Sequence, residues 1–172
     1  MQVPGNSNEH SSPSVGLLIS VLVRYPEIVS LQYDHIDQAL RFALMIAKRL
    51  PECRVEDTER RIVTSLDAYL ALESRKPAIL DVETEVYDEI SVIQMRRDVA
   101  TLTREEIWLV TEIVKELFPG ELVSEHGEAW GDEDPAFQEE MIEEMLDNLR
   151  HSEQQKNLVA FREEGRVLVY NK

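Results

Sequence analysis

Val15-Gly16-Leu17-Leu18-Ile19-Ser20-Val21-Leu22-Val23 carries no charge, and only Gly16 and Ser20 interrupt its apolar residues. A surface helix shows one apolar stripe, whereas a run that is apolar on every side must be covered from several directions. Ser12-Pro13 precedes it, a capping residue followed by a proline whose missing N–H costs nothing at the first helical position. Tyr25-Pro26 ends it, because the residue before a proline is pushed out of helical geometry. The branched residues would also suit a buried strand, but the cap and the helical segments that follow favour a helix. The run is too short for the ~20 residues that span a bilayer. Met1–Ser14 contains no Lys or Arg, and no small-residue cleavage pattern follows, so the run reads as a core helix and not as an export signal.

The rest of the chain reads outward from this helix. Residues 1–11 are polar and aperiodic, the composition of a disordered leader. Pro26–Leu31 reads as a short helical turn. A longer helix follows from Asp34 to Leu50, with Asp34 as its cap, Ile36, Leu40, Leu44 and Ala47 on one face, and Pro51 as its stop. Val55–Glu73 is another helix, striped by Ile62, Leu66, Tyr69 and Leu70, with Glu56, Asp57 and Glu59 where the dipole favours acids. Residues 76–82 break the pattern and mark a sub-boundary. Glu83–Ala100 fits a helix through Val82, Val86, Ile90 and Ile93, while Ser91–Met95 also fits a strand.

Thr103 and Glu106 make a capping box, with Leu102 and Ile107 as its hydrophobic staple. The helix they open carries Ile107, Val110, Ile113, Val114 and Leu117 on one face and stops at Pro119-Gly120. Residues 121–134 read as an acidic loop. Asp134-Pro135 opens the last long helix, whose apolar side is Phe137, Met141, Ile142, Met145, Leu146 and Leu149. That helix could run on through Leu158 and Phe161 to a C-cap at Gly165. Arg166–Tyr170 has strand character, and a lone strand needs a partner edge, so it pairs with Ser91–Met95, pairs with another subunit in a homodimer, or is not a strand. The expected fold is mostly α: a bundle of five to six helices over residues 12–164, with 165–172 as a short C-terminal strand or tail.

The composition removes several chemistries. With Cys53 the single cysteine among 172 residues, no intrachain disulfide or cysteine zinc cage can form, and a cytoplasmic location fits. Residues 1–81 carry nine basic and eleven acidic side chains, net −2; residues 82–172 carry nine and twenty-three, net −14. Phosphate backbones and anionic membranes both need a basic footprint, so neither direct nucleic-acid binding nor membrane binding is expected. The six glycines are scattered and form no phosphate-binding loop; His-Glu-x-x-His and Glu-x-x-His are both missing. No cofactor is expected and no metal ligand is assigned. Glu125-His126-x-Glu128 with Asp132 and Asp134 fails the calcium-loop pattern, because Phe137 stands where the turn needs glycine. His35 reads as structural. Cys53, beside Glu52, reads as an inert thiol.

The candidate partner-binding residues are Trp108, Trp130, Glu139, Glu143 and Asp147. Trp108 lies roughly 150° around the helix from the Ile107/Val110/Val114 face, so it is covered by a second layer or exposed as a contact. Glu139, Glu143 and Asp147 form one row at i, i+4 spacing, where like charges repel. Stability alone would not select that row, but a basic partner would use it. Leu17-Leu18-Ile19-Ser20-Val21-Leu22-Val23-Arg24-Tyr25-Pro26-Glu27, within Ser14–Leu31, resembles the first helix of the helicase-binding C-terminal domain of bacterial primases. That resemblance implies a helicase or replisome partner and carries no functional residue with it. The leading reading is a non-catalytic protein-protein interaction or regulatory protein acting through an acidic helical surface, with a protein partner, basic in character. A replisome-binding module, a nucleic-acid mimic and an enzyme with an unrecognised acidic site are the alternatives.

Overall fold

A computed structural model of the chain describes residues 13–125, 134–153 and 156–172. The leader, Ser12, Trp130 and the loop residues His126, Glu128 and Asp132 lie outside the described residues. The expected all-helical bundle is corrected: four helices share the chain with a six-stranded antiparallel sheet. In chain order the elements are α1 (Pro13–Arg24), β1 (Ile28–Asp34), β2 (Ala39–Ile46), α2 (Glu52–Leu72), β3 (Leu80–Val86), β4 (Ser91–Asp98), α3 (Arg104–Leu117), α4 (Pro135–Arg150), β5 (Leu158–Glu163) and β6 (Arg166–Asn171). The strands order as β3-β4-β2-β1-β5-β6, three hairpins side by side.

The core helix is where the sequence places it. Leu17, Leu18, Val21 and Leu22 are all buried, because α1 packs against β1, β5 and β6 and also against α4. Gly16 faces α4: a Cβ there would sit 3.3 Å from the Met145 methyl, a tight contact that the flexible thioether would have to relieve. α2 and α3 also form as expected, and Glu106 closes its half of the capping box by accepting the Thr103 N–H at 2.9 Å.

The helix expected over Asp34–Leu50 is instead the β1–β2 hairpin. Asp34 does accept backbone N–H groups, from Ile36 at 2.9 Å and Asp37 at 3.3 Å, but it ties a turn and not a helix start. Leu40, Phe42, Leu44 and Ile46 then repeat every second residue and are all buried, which is the strand period. The turn expected at Pro26–Leu31 becomes strand from Ile28 onward, and Glu83–Ala100 resolves into the β3–β4 hairpin. α4 ends at Arg150, well before Leu158. Gly165 is no helix cap: with Glu164 (φ 50°) and Gly165 (φ 77°) between β5 and β6, it closes a two-residue hairpin turn. Arg166–Asn171 pairs with β5, which answers what the C-terminal strand needs.

One buried polar cluster joins the layers. The Arg97 guanidinium donates to Glu106 through Nε at 2.8 Å and Nη2 at 3.1 Å, and to the Ile79 carbonyl at 2.8 Å. Asp98, 2.5 Å from Arg97 Nη1, also accepts from Ile79 N–H and from Thr101. This knits β3 and β4 to the first turn of α3.

Candidate functional site

α3 buries Ile107, Val110 and Val114, so the next residue after Ile107 swings about 100° away from the core. That residue is Trp108, and it is 48% exposed. It borders a groove of about 370 Å³ between α3 and α4, shared with Arg104, Glu105, Ala136, Glu139 and Glu140. The structure therefore brings together two of the residues singled out from sequence, Trp108 and Glu139, on separate helices.

The acidic row on α4 divides by partner. Glu139 turns inward: its Oε1 accepts the Tyr25 hydroxyl at 2.6 Å and pairs with Arg24 Nε at 3.0 Å, tying α4 to the end of α1. Burial pushes the Tyr25 phenol far up, and the hydrogen bond to Glu139 adds to the shift. Glu143 reaches Arg104 Nε on α3 at 3.2 Å, and Glu105 sits 3.3 Å from the same nitrogen. Burial works to lower the Arg104 pKa, but these carboxylates outweigh it and raise it. Asp147 stays within its own helix, 3.9 Å from Arg150 and 3.8 Å from His151. Glu140 and Glu144 stand exposed beside the row. Sequence spacing alone could not find these pairings, because Arg24 ends α1 and Tyr25 follows it, at the other end of the chain.

A second surface was not foreseen. Leu31, Leu40, Phe42, Leu44, Ile93, Met95 and Ala160 point from the sheet to the helices and are buried. Their alternates Gln32, Arg41, Gln94, Arg96, Val159 and Phe161 keep part of their surface open on the opposite face. The register sets them in cross-strand rows, such as Arg96–Arg41–Gln32–Val159–Tyr170. A hollow of about 420 Å³ on this face includes Ala43, Met45, Val92 and Val123, with Glu85 and Glu125 as its acids. Arg96 is held by Asp37 and faces Asp81 at 3.9 Å.

Other candidates serve the fold. His35 Nδ1 lies 2.6 Å from Asn157 Oδ1, which also accepts the His35 N–H, so the residue ties the β1–β2 turn to the start of β5. Cys53 is exposed at the start of α2. Arg97 and Glu106 are fully buried and satisfy one another, out of reach of a substrate. Among the described residues, no cluster of three His, Cys, Asp or Glu side chains is arranged to hold a metal ion. No described helix is long and apolar enough to cross a membrane. No family model, curated protein or solved structure matches the chain.

Proposed function

We propose that the chain is a non-catalytic protein-binding module whose acidic helical surface receives a basic segment of a protein partner. The observation that carries this reading is Trp108, half exposed on a groove where Glu105, Glu139 and Glu140 outnumber the single cation, Arg104. Tryptophan is enriched among the anchors of interfaces, and its face attracts Arg or Lys. Glu140, the carboxylate of this groove with no ion pair among the described residues, favours a cation over an apolar side chain. The residues behind the primase resemblance give less support to a replisome partner: Leu17, Leu18, Val21 and Leu22 are inside the molecule, where no partner touches them.

The charges that test this reading are Glu140 and Glu144, which are exposed; Glu139 would be a poor choice because it holds Arg24 and Tyr25. Affinity capture with the parent, Trp108→Ala and a Glu140→Lys/Glu144→Lys double variant, each at low and high salt, separates binding from mere solvation. Exposed charges are screened over ~8 Å at physiological ionic strength, so the partner should be retained by the parent at low salt only. Both variants should lose the same protein while keeping the parent's circular dichroism. Recovery of identical proteins from every sample would contradict the proposal.

A further inference from the structure

We infer that β6 is a pairing edge and that its occupant is a second copy of this chain, joined antiparallel across a two-fold axis into a continuous sheet. This stands on the sheet edges and is independent of the Trp108 groove. The two edges of the sheet are built differently. β3, at one end of the order, sets Asp81, Glu83 and Glu85 in a row on its open side, the charge that keeps an edge from pairing. β6, at the other end, is Arg166-Val167-Leu168-Val169-Tyr170-Asn171, with four apolar or aromatic residues in a row and no charge between its ends.

The hairpin decides which backbone groups of β6 have no partner among the described residues. Antiparallel pairs alternate between bonded and non-bonded positions. The Lys172 N–H donates to Asn157 at 2.8 Å, so even-numbered positions of β6 face β5. The N–H and C=O groups of Val167, Val169 and Asn171 therefore point away from the sheet. A two-fold axis through Leu168 pairs Val167 with Val169 of the second copy and satisfies these groups.

That register is also the one in which side chains agree. On the open face Leu168 meets Leu168, and each Arg166 faces the second copy's Tyr170, a cation over a ring. Tyr170 is already fixed there by stacking on Phe161, centroids 5.6 Å apart. Glu164 comes beside the second copy's Lys172. Sliding the axis to Val169 would set Arg166 against Lys172, like charge on like; sliding it to Val167 would set Tyr170 against Glu164 and lose the Leu168 pair.

Sedimentation equilibrium and disulfide trapping test this on the full chain. The parent should sediment at twice its 19.9 kDa. Val169→Pro removes an N–H that β5 does not use and should give a folded monomer, since an edge strand accepts proline on its outer side. In a Cys53→Ser background, Leu168→Cys should oxidise to a covalent dimer, because directly opposed non-bonded positions lie within disulfide reach. Tyr170→Cys should not. A monomeric parent, or trapping at 170 as ready as at 168, would overturn the proposal, and the trapping result decides it even if Val169→Pro fails to fold.

Discussion

Arg97→Met is expected to destabilise the protein by about 3–5 kcal/mol, the cost of removing one partner from a buried ion pair. The side chain is fully buried, holds Glu106 with two nitrogens, and reaches Asp98 and the Ile79 carbonyl. Without it Glu106 is left inside the protein with only the Thr103 N–H and hydroxyl as partners among the described residues. Urea denaturation gives the comparison, and a loss below about 1 kcal/mol, the scale of an exposed pair, would show that the cluster is solvated. The same cluster carries a pH signature. Burial works to raise the Asp98 carboxyl, but the Ile79 N–H, Thr101 and Arg97 outweigh it and hold it below the usual range. A lowered folded pKa means that its stabilisation is complete above the unfolded value, near ~3.9, and is lost as pH falls through the folded value. The parent should therefore weaken on acidification below about pH 4, and Asp98→Asn should weaken less.

Leu22→Ala is expected to cost about 2–5 kcal/mol, the range for emptying a well-packed leucine site. Leu22 is 1% exposed in a helix pressed between the sheet and α4. Its carbonyl also accepts from Arg162, whose guanidinium caps the end of α1 through the Tyr25, Pro26 and Ile28 carbonyls as well. The cavity would open where three layers meet, so neighbouring side chains have little freedom to fill it. A melting temperature within a degree or two of the parent would remove α1 from the centre of the fold.

The helices were legible in the sequence because their ends are written locally. Thr103 and Glu106 pair each other's backbone groups, Asp134 accepts the Ala136 N–H while Pro135 leaves no N–H to satisfy, and both helices begin where those residues stand. The strands were less legible. Ile36, Leu40 and Leu44 are spaced by four, which fits a helix face but also fits an even-numbered strand face. Phe42 and Ile46 complete the second pattern, while Ile36 stays 77% exposed in the turn. The segment is rich in Ala, Leu and Met, good helix formers, and pairing on both sides by β1 and β4 overrides that preference. Ala43, on the opposite face, is buried as well, which blurs the alternation that would have marked a strand.

Charge was legible as composition and not as geometry. The row Glu139, Glu143, Asp147 is present on α4, yet Glu139 is held by Arg24 at the end of α1 and by Tyr25 just after it, and Glu143 by Arg104 of α3. Trp108 was placed away from its helix's buried face by periodicity alone, and the structure leaves it on the groove. Trp130 lies outside the described residues.

The sheet order is the claim on which the other surfaces depend, and Leu31 tests it most directly, since β1 lies between β2 and β5. In an isotopically labelled sample, nuclear Overhauser contacts of the Leu31 backbone should run to Phe42 on one side and to Ala160 on the other. Contacts at i, i+3 along residues 34–50, with none from Leu31 to Ala160, would restore the helical bundle and contradict the sheet.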